Sequence, residues 1–172
     1  MKTKRITTIA MLTALYVVLA ILTPVKIQYF KFTFEALPIL VAGFLFGSKV
    51  GFTVATLGSC IYQLFFSQYG FTATTVLWIL PHSISGLLIG YLSEKKEFIL
   101  NKKDILLISI VGCLTVTALN TLALFIDSKI YGYYNSALLF SALPLKILSG
   151  IILSVLFTAI IIPLLKAVNK QL

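Results

Sequence analysis

Thr74, Trp78, His82 and Ser85 stand four, four and three residues apart in the stretch TTVLWILPHSISGLLIG. On a helix that spacing puts a hydroxyl, the only tryptophan of the chain, its only histidine and a second hydroxyl on one face. Other polar side chains sit in equally apolar surroundings: Tyr62 and Gln63, Asn120 between Thr117 and Thr121, and Lys146 in LPLKILSG. An indole stacks on a flat ring, an amide and an imidazole read heteroatoms, and an ammonium meets a carboxylate. Together they are the parts of a pocket for a flat, polar, anionic molecule. They are not the parts of a catalyst. No His, Cys and carboxylate cluster has metal-ligand spacing, and neither H-E-x-x-H nor G-x-S-x-G occurs. FGSK, ending at Lys49, lacks the earlier glycine of a phosphate-binding loop.

The elements that must position these residues are membrane helices. Hydrophobic residues make up 59% of the 172, and charged residues only 11%. Mean hydropathy is +1.05. Soluble domains are usually about a quarter charged. The N-terminus has the basic start and apolar run of a signal peptide. IAMLTALYVVLAILTP offers no small-x-small cleavage site, however, and more spans follow, so a retained first helix is expected. Cys60 and Cys113 fall in separate apolar runs, where cysteine behaves as a small hydrophobe.

Six apolar segments, at 6–23, 35–47, 50–66, 74–92, 104–126 and 141–166, predict an all-α bundle of six spans forming a single domain over 1–172. A crossing helix needs about 20 apolar residues, so the second segment is short and the third marginal. With the N-terminus in the cytoplasm, Lys2, Lys4, Arg5, Lys49, Lys95, Lys96, Lys102, Lys103, Lys166 and Lys170 collect inside, against Lys26, Lys31 and Lys129 outside. That asymmetry predicts both termini inside. It also accounts for the net charge of +9 through topology and anionic lipid headgroups, without nucleic acid.

The topology gives each polar residue a depth. Segment four enters from outside, with Trp78 in its outer part and His82 near the middle. Segment five ends outside near Asn120, and Lys146 lies roughly 8 Å below the start of segment six at 1.5 Å per residue. Polar groups in hydrocarbon are costly and face a cavity or each other, so the convergence in the outer half predicts a pocket. Each member has a plainer role open to it. Trp78 can belong to an interfacial belt, His82 and Asn120 can join helices, and Lys146 can extend to the interface. Glu35 and Asp127 fall at segment ends, where an exposed charge needs no special account. Pro81 is placed to bend the span beside His82.

Small residues form a second pattern. Gly43, Gly47 and Gly51 repeat every four residues, as do Gly86 and Gly90, and as do Ala10 and Ala14 in the first helix. Such faces let helices approach closely. Packing within the chain suffices for the glycines; the alanines could equally meet a partner.

The order of these features resembles the substrate-binding S components of energy-coupling factor (ECF) vitamin transporters. The resemblance runs through IAMLTALYVVLA, FTFEALPILVAGFLFGSKVGFTVATLGSCIYQL, TTVLWILPHSISGLLIGYL, ALNTLALFIDSKIYGYY and LPLKILSGII. Within that superfamily, ALPILVAGFLFG and LNTLALFIDSKIYG look most like the folate branch, with pantothenate or a pyridoxine-like vitamin as alternatives. The resemblance implies a multi-pass protein of a bacterial cell membrane that captures a vitamin at the outer side, beneath the loop TPVKIQYFKFTF. It implies no cofactor and no ATPase activity of its own. ATP hydrolysis would belong to two cytoplasmic ATPase subunits joined to a membrane scaffold subunit, onto which Ala10 and Ala14 would dock. The pocket would comprise Glu35, Tyr62, Gln63, Trp78, His82, Asn120 and Lys146, with Lys146 as carboxylate partner and Trp78 or Tyr29 as stacking surface. Two further readings stand beside it: a membrane assembly protein with no small-molecule ligand, and a self-sufficient transporter using His82 or Glu35 for proton coupling.

Overall fold

The computed structural model describes residues 2–27, 30–67 and 70–169. Tyr29 of the candidate pocket and Lys170 of the charge count lie outside the described residues. Among the described residues there are seven helices: α1 (Lys2–Leu22), α2 (Ala36–Phe46), α3 (Ser48–Phe65), α4 (Thr75–Lys95), α5 (Lys102–Ile130), the short α6 (Ser136–Ser141) and α7 (Leu143–Asn169). The sixth expected segment, 141–166, falls almost entirely on α7, and the short α6 precedes it. One departure from an all-helical fold sits in the loop after α1. There VKI and FKF alternate apolar and basic residues, the period of a strand, and form an antiparallel ribbon of β1 (Val25–Ile27) and β2 (Phe30–Phe32) with Lys26 opposite Lys31. Thr23 Oγ1 closes its base, accepting from the Phe34 N–H at 3.1 Å.

Among the described residues four helices are long and apolar enough to cross a membrane: Thr3–Leu22, Thr75–Lys95, Lys102–Ile130 and the stretch Leu139–Val168. Their outward faces stay apolar. Ile6, Met11, Leu107, Leu148, Ile152 and Val155 are all exposed, as lipid-facing residues must be. The 11 residues of α2 span only about 16 Å at 1.5 Å each, and half of them are buried in protein. A helix too short to cross is stable in a bilayer where neighbours surround its end.

α4 is the hub, packed by α2, α3 and α5. The glycines make this closeness achievable. A Cβ at Gly43 would lie 2.6 Å from Ile89 Cγ2 and 3.0 Å from the Gly90 backbone nitrogen, and one at Gly51 would lie 2.5 Å from the Gly86 carbonyl oxygen. The four-residue glycine repeats therefore serve packing among α2, α3 and α4, the within-chain role their spacing allowed. Gly47, at φ +83°, turns α2 into α3, and Glu94 at the far end of α4 finishes the joint by accepting from the Ser48 N–H at 2.8 Å and from its hydroxyl. An asparagine box starts α5: Asn101 accepts from the Asp104 N–H at 2.8 Å, and Asp104 is bridged by Lys96 at 2.7 Å. α4 remains helical through Pro81, whose ring is buried.

Candidate ligand-binding site

The level of each polar side chain follows from how the helices are registered. α4 and α5 run antiparallel. They are joined at one end by Thr74, which donates to Asp127 Oδ1, and farther in by Ser85, whose hydroxyl donates to the Gly112 carbonyl at 3.0 Å. His82 is eight residues along α4 from Thr74, and Asn120 seven residues back along α5 from Asp127, so both sit about 11–12 Å inside that rim. α7 is tied to α5 by Ser154, which donates to the Ser109 carbonyl at 3.3 Å, and by Gly150, which faces Cys113 and Thr117. One turn back from Gly150, Lys146 reaches the level of Asn120.

Glu35 joins them because α2 is short. Its far end is fixed against Ile89 and Gly90, and its length then carries the chain only partway toward the rim. Glu35 therefore starts α2 inside the bundle, where its Oε1 lies 3.8 Å from His82 Nε2. Only 13% of the Glu35 side chain and 10% of the imidazole are accessible. The position of Glu35 at a segment end left an exposed charge and a pocket residue both open; the length of the helix makes it an interior carboxylate.

These groups surround one cavity of about 840 Å³. Glu35, Tyr62, Gln63, Trp78, His82, Asn120 and Lys146 all line it, so all the expected pocket residues within the described chain converge there. That volume lies in the range of small-molecule sites. Apolar walls come from Leu40, Ile89, Val116, Leu153 and Phe157, with hydroxyls from Thr33, Thr75, Ser85 and Thr117. Lys146 is half-buried, and among the described residues no carboxylate comes within 4.0 Å of its ammonium. Ala10 and Ala14 lie elsewhere, exposed on the outer face of α1.

Of the lining residues that the sequence reading did not assign to the pocket, two are tied most closely to its polar groups. Tyr16 is only 1% exposed, its ring packed on Gly58 and set edge-on to His82 with centroids 5.7 Å apart. Thr13, Tyr16 and Ala20, three and four residues apart, are the buried face of α1, and that spacing was the available signal. Asp127 is the other. Rather than an exposed end charge it is 8% exposed, and each oxygen accepts a hydroxyl: Thr74 on Oδ1 and Tyr133, from the loop after α5, on Oδ2. It ties the start of α4 and that loop to the rim. Replacing Asp127 by Ala, which removes the acceptor of two buried-side hydroxyls, is expected to cost about 1–3 kcal/mol of stability, with Asn milder. Thermal unfolding in detergent reads this, and an unchanged midpoint for the alanine variant would reduce the network to a surface ornament.

The fold is thus a bundle of membrane helices around a cavity lined by both polar and apolar side chains. Solved structures share this fold. The S component of a bacterial ECF transporter superposes with a TM-score of 0.72 at 22% identity, over 98% of this chain and 99% of that one. The S-component for biotin from an ECF-type ABC transporter superposes with a TM-score of 0.66 at 19% identity, over 92% and 91%. At such identities the likeness is one of fold. No curated protein matches in sequence. Residues 4–161 match the family model of the ECF transporter, substrate-specific component, and the chain belongs to that family. It is a multi-pass membrane protein and the substrate-specific component of an ECF transporter.

Proposed function

We propose that this chain captures a folate-like vitamin in the cavity between α3, α4, α5 and α7 and passes it inward when joined to a separate energizing module. The observation that carries the reading is the convergence of Trp78, His82, Asn120 and Lys146, from three helices, on one cavity of about 840 Å³. An indole wall suits a flat ring, and Lys146, with no carboxylate partner among the described residues, suits an anionic group. Six spans with both termini inside turn the Thr74–Asp127 rim outward and the lysine-rich end, with Lys49, Lys95, Lys96, Lys102 and Lys103, toward the cytoplasm of a bacterium. The energizing module would be a membrane scaffold with two ATPases, contacted through the exposed Ala10 and Ala14. Folate as the particular vitamin rests on the likeness of ALPILVAGFLFG and LNTLALFIDSKIYG to the folate branch. The cavity weighs against a purely structural assembly protein, which needs no such space.

Fluorescence of Trp78, the only tryptophan, reports binding directly. Titration with folate, pantothenate and pyridoxine, checked by calorimetry, is expected to give saturable quenching by folate at nanomolar concentration. Lys146→Ala should weaken that binding by about 1.5–3 kcal/mol, the scale of a charge-assisted contact. Saturation by pantothenate or pyridoxine alone would replace the vitamin and keep the class. Silence towards all three in a folded sample would remove the capture reading.

A further inference from the structure

The apolar spans Thr75–Lys95 and Lys102–Ile130 stop on either side of the turn KEFILN, at the lysine-rich end of the bundle. Between the last turn of α4 and the first turns of α5 lies an open hollow of about 510 Å³, lined by Leu92, Lys95, Lys96, Ile99, Asp104 and Ile108. It shares no lining residue with the larger cavity. Lys96 bridges to Asp104 at 2.7 Å, so that pair is neutral. Lys95, and Lys102 and Lys103 just before Asp104, are exposed and have no carboxylate within 4.0 Å among the described residues. Glu94 is turned to Ser48, which leaves Glu97 as the remaining acid of the turn. The hollow therefore presents positive charge where the hydrocarbon of a bilayer ends.

Apolar surface continues from it. Ile99 is 79% exposed and its neighbour Phe98 43%, both at the membrane boundary. The turn that presents them is sterically disfavoured. Glu97 and Phe98 have φ +51° and +59°, the left-handed region that residues with a Cβ rarely adopt, and the Phe98 N–H closes on the Ser93 carbonyl at 3.0 Å. Tyr91 and Leu87 lie one and two turns back along α4 from Lys95, and Leu107 and Val111 about one and two turns along α5 from Asp104. All four are exposed, so an apolar stripe on each helix leads from the lysines into the hydrocarbon. Among the described residues α5 packs mainly on α4 and α7 and not on α1, which separates this face from the Ala10 and Ala14 stripe.

We propose that the hollow binds a single anionic phospholipid, its phosphate held by Lys95 beside the basic start of α5 and an acyl chain lying along Tyr91, Leu87, Leu107 and Val111. Charge complementarity selects the headgroup. A phosphate without a counter-charge of its own meets an unpaired ammonium, whereas a choline headgroup brings one more positive charge to three lysines. The N-terminus of α5 adds its partial positive charge. Shape selects a lipid over a free anion, because the hollow opens onto apolar stripes rather than closing into a polar cup. A lipid seated there fastens the α4–α5 hairpin, and α4 is the helix that carries Trp78 and His82. The site is independent of which vitamin the chain captures.

The full-length chain in a neutral detergent is titrated with phosphatidylglycerol, phosphatidylcholine or inorganic phosphate, with bound lipid counted by native mass spectrometry and the melting midpoint followed in parallel. Phosphatidylglycerol is expected to saturate at a single lipid per chain and to raise the midpoint; the other two should do neither. Lys95→Gln should weaken phosphatidylglycerol binding about fivefold, and Lys102→Gln and Lys103→Gln added to it well over tenfold, at about a factor of five per lysine near a headgroup. Lys4→Gln, Lys49→Gln and Lys166→Gln together remove the same charge from the same end of the bundle and should leave binding unchanged. Equal loss in the two triple variants, or equal binding of phosphatidylcholine, would make the attraction diffuse and overturn the site. Equal stabilisation by inorganic phosphate would overturn the lipid. Native lipid binding in the Lys95 triple variant, with uptake by the complete transporter lost, would assign the hollow to a protein partner instead. Should that variant fail to fold, as its melting curve would show, the ranking of the three probes on the native chain decides alone.

Discussion

Replacing Ala10 and Ala14 together by Leu is expected to bring energised uptake down to background while leaving vitamin affinity within about twofold of native. Both alanines are exposed on α1, away from the cavity, whereas the buried face of that helix is Thr13, Tyr16 and Ala20. Leucine raises the hydropathy of the segment and keeps its helix propensity, so insertion and folding are not challenged. What changes is thickness. Helices in lipid gain little from hydrophobic burial, because lipid tails are as apolar as the side chains, and they associate through close backbone approach at small residues. Two leucines one turn apart on the same stripe hold a partner helix off by several ångströms and forfeit that packing. Uptake by cells or proteoliposomes carrying the complete transporter, alongside fluorescence titration of the isolated chain, separates the two effects. Uptake that persists in the double variant would move the docking face elsewhere on the protein. Loss of binding and uptake together would mean that α1 itself had been disturbed.

The second large effect concerns the seam of the bundle. Gly51→Ala is expected to destabilise the protein by about 1–3 kcal/mol, whereas Gly150→Ala, an identical change in another helix, should be neutral or stabilising. A Cβ at Gly51 would lie 2.5 Å from the Gly86 carbonyl oxygen and 3.3 Å from the Gly43 Cα, both backbone atoms that no side-chain rotation can withdraw. The methyl must push α3 away from α4, and α4 is the helix that carries Trp78 and His82. At Gly150 the nearest atoms are Thr117 Oγ1 at 3.5 Å and Leu114 Cδ2 at 3.8 Å, ordinary contact distances. There alanine fills available space and gains helix propensity, up to about 1 kcal/mol in an exposed helix. Melting in detergent should place the two variants on opposite sides of, or at unequal distances below, the native protein. Equal behaviour would show that the glycine seam has slack not visible in the backbone geometry.

Much of the cavity's polar lining was legible in one dimension. The four-four-three spacing of Thr74, Trp78, His82 and Ser85 fixes a common helical face whatever the neighbours do, and three of the four line the cavity while Thr74 holds its rim. Asn120 and Lys146 were legible for a different reason: an amide or an ammonium in an apolar run needs a polar surrounding, so its mere presence announces a cavity or a partner. The all-helical character of the spans followed from the length and hydropathy of the segments, which leave the backbone no other way to satisfy its hydrogen bonds in lipid. The ribbon after α1 was passed over as loop because each strand is only three residues long, too short for its alternation to stand out.

Asp127 passed for an exposed end charge, and Glu35 could be read as either an end charge or a pocket residue, because a segment end in the sequence is not an exposed end in space. Whether a terminal charge meets water depends on how far its helix reaches and on what stands beside it, and both are set by other parts of the chain. Glycine contacts from Gly43 to Ile89 and Gly90 anchor the far end of α2, and only then do its 11 residues leave Glu35 beside His82. Asp127 is enclosed by Thr74, 53 residues earlier, and by Tyr133 from the next loop. Tyr16 acquires its place in the cavity wall from Gly58, 42 positions away. The sequence by itself determined the solvent, the helices, and which polar side chains share a face, because periodicity and transfer cost act over one or two turns. Only the tertiary structure decided the charge balance of the cavity, because the level at which helices meet is set by contacts between residues tens of positions apart.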